Sequence, residues 1–174
     1  MNFSLRAWEF SDIDSLTSYA NNEKIAANLR NAFPFPYSKS DAESYLRVCI
    51  RKGSERQLSL AIVVDGEAAG SIGIFLKDDV YEKSGELGYW LAEPFWDRGI
   101  VTAAVKEICA MAFHRYDLVR IFAEPYARNI ASCRVLEKAG FELEGVLRKS
   151  VFKNGQILDS CLYALVKKED EKNA

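Results

Sequence analysis

Trp96-Asp97-Arg98-Gly99-Ile100-Val101-Thr102 lies between a strand-like apolar run and a long helix-like one. The first N–H groups of a helix have no partner inside it and carry the positive end of its dipole. A helix beginning here therefore forms an anion site, suited to phosphate. Gly99 lets the backbone approach with no Cβ in the way. Arg98 adds a cation beside it, and Thr102 adds a hydroxyl. Taken alone, the turn reads equally well as an ordinary glycine at a helix start. It is not a nucleotide P-loop, because no Gly-Lys-Ser/Thr follows, and G-x-G-x-x-G is absent.

Other chemistries lack their residues. Cys49, Cys109, Cys133 and Cys161 stand far apart with no C-x-x-C pair, and His114 is the only histidine, so no metal site is expected. The cysteines read as reduced core thiols, and His114, late in its helix, as structural. Net charge is −2, and no basic stripe invites nucleic acid. No apolar run is long enough for a membrane span, and no secretory signal opens the chain. The expected location is the cytoplasm.

The elements that must position the turn follow from pattern. With 174 residues, 49% of them hydrophobic, the chain suits one domain, expected over 1–168 with 169–174 as a frayed tail. Ser4 to Trp8 reads as a first strand. Ser11 caps a helix with an acidic first turn. Ser40 and Glu43 form a capping box for a second helix reaching about Arg51. Leu58 to Val64 and Glu67 to Lys77 are strands joined at Asp65-Gly66, and Gly85 to Ala92 is a third. Gly99 to Arg115 is a helix, apolar on most sides and hence largely buried. Val119 to Glu124 is a strand. Asn129 to Ala139 is a helix with Asn129 as cap and Gly140 as stop. Phe141 to Phe152 and Gln156 to Val166 form a hairpin at Asn154-Gly155. The expected class is α/β (α+β): a mixed, mostly antiparallel seven-stranded sheet with helices on both faces.

Two strand-to-helix units at this spacing resemble the GNAT acetyltransferases, and within them the RimJ/RimL type, the ribosomal-protein N-terminal acetyltransferases. The resemblance covers nearly the whole chain. Its matching pieces are Glu86-Leu87-Gly88-Tyr89-Trp90-Leu91, Phe95-Trp96-Asp97-Arg98-Gly99, Asn129-Ile130-Ala131-Ser132, Glu137-Lys138-Ala139-Gly140-Phe141, Asn154-Gly155 and Asp159. It implies a central strand pair, Gly85 to Leu91 and Val119 to Glu124, that splays to admit acetyl-CoA. It assigns the pantetheine arm to the backbone of Trp90 and Leu91, and the pyrophosphate to Arg98, Gly99, Ile100, Val101 and Thr102. Asn129 and Ser132 would line the far side of the cofactor. Val101 departs from the small residue usual at its position. Leu136 stands where many relatives carry a general-acid tyrosine.

Acetyl transfer to an amine needs the amine deprotonated, the oxyanion stabilised and the thiolate protonated. The resemblance places Glu86 and Glu124 on the strands flanking the gap, each a candidate base or a structural carboxylate. Ser132 is the candidate acid, with a bound water as its alternative. Deprotonation at pH 7 costs about 1.1 kcal/mol for an α-amine and about 4.6 kcal/mol for a lysine amine. The lack of an obvious strong base favours a protein or peptide N-terminal α-amine. A small amine (polyamine, aminoglycoside or amino acid) is the alternative acceptor, and a non-catalytic acyl-CoA-binding module the alternative function. Phe33-Pro34-Phe35-Pro36-Tyr37 would wall the acceptor or simply pack between helices. Tyr81 and the loop from Lys77 to Ser84 would face it. Trp8, Tyr89 and Trp90 read as core. The partner expected is the amine, with a homodimer open beside a monomer.

Overall fold

The structure is a computed structural model that describes residues 2–51 and 56–168. The tail expected at 169–174 lies outside the described residues. Strands β1 (Phe3–Arg6), β2 (Gln57–Val64), β3 (Glu67–Leu76), β4 (Ser84–Leu91), β5 (Arg120–Ala123), β6 (Glu142–Lys153) and β7 (Gln156–Val166) form one sheet in the order β1-β2-β3-β4-β5-β7-β6. Only β4 and β5 pair in parallel. Lys167 is still tied in, its N–H donating to Val119 O at 2.8 Å.

Both hairpins follow from their turn residues. Asp65 and Gly66 have φ of 51° and 91°, Asn154 and Gly155 of 50° and 74°. Two successive positive φ angles match the twist of the flanking strands, and Asn-Gly or Asp-Gly adopts them at least cost.

Helices cover both faces. On one, α4 (Ile100–Arg115) and α5 (Ile130–Lys138) bury Ala104, Val105, Ile108 and Leu136 against Ile72, Ile74, Leu87 and Ile121. On the other, α1 (Ile13–Ala20) and α3 (Lys39–Arg51) bury Leu16 and Leu46 with Trp8 and Tyr37. Each fully buried leucine contributes about 1.5–3 kcal/mol of transfer free energy. A short helix α2 (Glu23–Ala26) follows α1, with the Asn22 side chain accepting from the N–H groups of Lys24 and Ile25.

Three expectations are corrected. Helix α4 buries one stripe, while Ala103, Lys106 and Met111 are exposed. Ser40 lies inside α3. The capping pair is Ser38 and Asp41, where Ser38 N–H donates to Asp41 Oδ2 at 2.8 Å and Asp41 N–H to Ser38 Oγ at 3.2 Å. Ser11 is not the cap of α1. That position belongs to Asp12, which is buried and accepts from Arg6 at 2.7 and 2.8 Å and from Glu9 N–H at 3.0 Å.

Burial alone would raise the Asp12 pKa, but the Arg6 and Glu9 bonds outweigh it, and the carboxyl is held below its ordinary value. A lowered folded pKa stabilises above the ordinary aspartate range, and that stability is lost as pH falls through the folded value. Asp12→Asn should therefore cost about 1–2 kcal/mol near neutral pH, an ionic hydrogen-bond value discounted because Arg6 is one-third exposed. Urea titrations of both proteins should converge as the pH drops below the aspartate range. A difference that stays constant with pH would remove the ion pair as its source.

Candidate active site

β4 and β5 pair only at Ser84↔Arg120, Gly85↔Ile121 and Glu86↔Phe122. Beyond this point each strand follows its outer neighbour. β4 stays on β3 as far as Gly70↔Leu91. β5 stays on β7 through Ala123↔Tyr163. The chain past β5 keeps to β7, with Cys161 N–H donating to Pro125 O and Ala127 N–H to Asp159 O, both at 2.9 Å. The outer partners thus hold a gap open between the two strands.

Backbone polar groups alternate sides along a strand. Ala92 N–H donates to Ala69 O at 2.8 Å, and Ser84 O accepts from Lys77 N–H at 3.0 Å. Even-numbered residues of β4 therefore turn their backbone toward β3, and the backbones of Tyr89 and Leu91 face the gap. The N–H and carbonyl of Trp90, expected to meet the cofactor arm, lie on the β3 side. The Leu91 carbonyl accepts from Trp96 Nε1 at 2.7 Å. That bond fastens the turn at 96–102 to the end of β4.

Gly99 caps α4 at φ 75° and ψ 0°, and Asp97 also has a positive φ of 59°. Such a turn gathers backbone N–H groups into an anion-binding concavity. The first helical bond is Ala103 N–H to Gly99 O at 3.1 Å, so the N–H groups of residues 99–102 point beyond the helix end. A Cβ built on Gly99 meets no atom within 4 Å, so the cradle is open where a phosphate would approach. Arg98 lies over the Phe95 ring, 5.7 Å from its centroid. These residues would suit an acyl-CoA, the turn its pyrophosphate and the gap its arm.

The β4 side chains divide between the two faces. Tyr89 points to the α4–α5 face, where its hydroxyl meets Ser132 Oγ at 2.8 Å. Burial raises the Tyr89 pKa, so the phenol stays protonated as a partner for Ser132. The Ser132 N–H donates to the Asn129 side chain at 3.2 Å, making Asn129 the cap of α5. Glu86 and Trp90 point to the α1–α3 face. Trp90 stacks edge-on with Phe33, their centroids 5.9 Å apart, and Phe33 meets Tyr37 at 5.1 Å. Phe33 therefore lies against the strand of the gap, Tyr37 packs in the core, and Tyr81 is exposed. The Glu86 side chain is 16% exposed, paired with Arg30 and 3.6 Å from Lys77. Glu124 is exposed just past β5, with no ion pair or hydrogen bond among the described residues.

The structure thus joins the turn, Leu91 and the gap into one site, and adds Ser132 through Tyr89. It does not bring Glu86, Glu124 and Ser132 into contact. Sequence reasoning missed Arg30 and Tyr89's hydroxyl. Arg30 carries no motif, but the alternation of Glu86, Gly88 and Trp90 against Leu87, Tyr89 and Leu91 already puts Tyr89 on the face opposite Glu86.

Comparison with known proteins agrees with this geometry. The acetyltransferase (GNAT) domain family matches residues 2–142. The probable N-acetyltransferase YjcK of Bacillus subtilis is 34% identical over 71% of this chain and 68% of its own. The putative ribosomal N-acetyltransferase YdaF of the same organism is 32% identical over 79% and 77%. Among solved structures, RimL, a ribosomal α-N-protein acetyltransferase with coenzyme A bound, superposes with a TM-score of 0.84 at 22% identity, covering 96% and 95% of the two chains. The spermidine N-acetyltransferase of Vibrio cholerae, with coenzyme A and spermine, gives 0.78 at 20% identity, covering 95% of each. With residues 2–142 matched to the family and the splayed strands and anion turn in place, the chain belongs to the GNAT family of acetyl-CoA-dependent N-acetyltransferases.

Proposed function

We propose that this acetyltransferase modifies a primary amine, a protein or peptide N-terminal α-amine, that approaches from the α1–α3 face while acetyl-CoA occupies the gap from the opposite side. One observation carries the reading: β4 and β5 part after Glu86↔Phe122, and the Gly99 turn is fastened to the end of β4 by the Trp96–Leu91 bond. The pyrophosphate would rest on the N–H groups of residues 98–102, and the arm along the gap-facing backbone of Tyr89 and Leu91.

Glu86 stands where the strands part, on the face of Trp90 and Phe33. An incoming ammonium competes with Arg30 for its carboxylate, so Glu86 orients the amine and takes its proton directly or through a water. Glu124, across the gap, is the second candidate for that role. Ser132 donates to the leaving thiolate, with its hydroxyl oriented by Tyr89. A thiol near pKa 8.5 asks little of this acid. An α-amine asks little of the base, since its deprotonation at pH 7 costs about 1.1 kcal/mol. The likeness to YdaF, a putative ribosomal N-acetyltransferase, supports a protein acceptor. The reduced state of all four cysteines suits a cytoplasmic enzyme.

Thiol release from acetyl-CoA against peptides with free or blocked N-termini, a lysine side-chain amine and polyamines tests the reading. Glu86→Gln should lower kcat about 10²-fold, the usual span for a general base. Ser132→Ala should lower kcat by less, about tenfold, with water replacing it. Acetylation of lysine side chains with none at peptide N-termini would overturn the assigned acceptor.

A further inference from the structure

Lys153 ends β6, one residue before the Asn154-Gly155 turn, where a lysine normally points into water. Here it is 6% exposed. Its ammonium donates to Asn31 Oδ1 at 3.1 Å, and among the described residues no carboxylate lies within ion-pair distance of it. Arg128, itself exposed, stands nearby and likewise has no carboxylate within ion-pair distance among the described residues. Its guanidinium donates to Ala27 O at 2.8 Å and to Gln156 Oε1 at 3.3 Å, both neutral. Burial first, and the Arg128 charge second, push the Lys153 amine below its ordinary value. A cation held out of water beside another cation is unfavourable unless an anion completes the site.

The surroundings offer a place for that anion. Lys153 lines a cleft of about 360 Å³ together with Asn31, Phe33, Phe35 and Ala27, and the exposed Glu23 lines it too. Phe33 links this cleft to the gap, because its ring also meets Trp90 of β4. Arg30, next to Asn31, reaches Glu86 instead. Of the cations on this side, Arg30 is already paired with a carboxylate, and Lys153 and Arg128 are not.

We propose that the cleft at Lys153 is a subsite for a carboxylate of the acceptor, so that the preferred amines carry an acidic group close to the amine. This rests on the reading that the amine enters from the α1–α3 face. The carboxylate comes from an acidic residue early in a peptide or from a free amino acid, and both present the same group to Lys153.

Thiol release from acetyl-CoA by the full chain, measured on matched acceptors, tests it. One pair of peptides differs only by Asp or Asn at the second and third positions. A second pair is an amino acid and its amide. The wild type should show a kcat/KM at least tenfold higher for the carboxylate member of one pair, and the pair that shows it identifies the source. Lys153→Met, which keeps the apolar stem, should bring that ratio close to one, and Lys153→Arg should restore it. Equal use of both members by the wild type would overturn the subsite. So would an equal loss on both members in Lys153→Met, which is the signature of a tie between the hairpin and Asn31. If the wild type acetylates no amine, the amine reading itself fails. Calorimetry with the acetylated Asp and Asn peptides then reads the subsite alone: tighter binding of the Asp peptide, lost in Lys153→Met, supports it, and equal binding overturns it.

Discussion

Gly99→Val should weaken acetyl-CoA binding at least about 100-fold, or ~2.7 kcal/mol, in a protein that still folds. Gly99 sits at φ 75° with no protein atom within 4 Å of a built Cβ, so packing does not oppose the larger residue. Backbone conformation does. A β-branched side chain in the left-handed region costs about 1–3 kcal/mol. The turn relieves that strain by rotating, which redirects the N–H groups of residues 99–102 from their common point. A valine that stays in place puts its methyl groups where the pyrophosphate would approach. Helix α4 retains its buried stripe of Ala104, Val105, Ile108 and Ala112, so the melting temperature should fall only slightly. Gly99→Asn, which tolerates the left-handed region, should lose far less affinity than valine. Calorimetry on the three proteins, with circular dichroism as the fold check, reads the outcome. A folded valine variant with wild-type affinity would remove the turn from the site.

Gly70→Ala should be the most damaging single methyl in the sheet. A Cβ at Gly70 lies 2.5 Å from Trp90 O and 3.1 Å from Leu91 Cα, both backbone atoms. No side chain can swing aside, so β4 must move off β3 where it also borders the gap. Overpacking of this kind costs about 1–3 kcal/mol, and the melting temperature should fall roughly 2–12 °C in a chain of this size. The displaced strand is the one proposed to hold the cofactor arm, so the KM for acetyl-CoA should rise several-fold as well. Gly145→Ala is the control, since its Cβ meets nothing within 4 Å. A Gly70→Ala protein as stable as the control would mean that the close approach of β3 and β4 is readily relaxed.

The local chemistry of the fold was legible where one residue type has one purpose. Asp65-Gly66 and Asn154-Gly155 specify tight turns because few residues accept two positive φ angles. Asn129 and Gly140 bracket α5 for the same kind of reason. Capping was misread where two candidates compete. Ser38 and Ser40 each precede an acid by three residues, and the Ser38–Asp41 pair is the one formed because the helix starts at Lys39. Asp12 displaced Ser11 through a tertiary bond to Arg6 that no local pattern announces. Helix α2 has four residues, too few for periodicity to register.

The site divides in the same way. The Gly99 turn is local and was readable, as was the run from Glu86 to Leu91. Which of its residues turns its backbone to the gap was not, because that depends on the register of β4 against β3. The register turns the backbone of Tyr89, and not that of Trp90, toward the gap. Lys153 was unreadable for a different reason. A lysine beside an Asn-Gly turn is normally solvated, and only the segment at Asn31, distant in sequence, closes over it.

A crystal structure of the chain with coenzyme A bound tests the central claim most directly. The pyrophosphate should lie on the backbone N–H groups of residues 98–102, with the pantetheine arm between β4 and β5 against the backbone of Tyr89 and Leu91 and the thiol near Ser132. Coenzyme A held elsewhere, or an arm that leaves the β4–β5 gap empty, would contradict it.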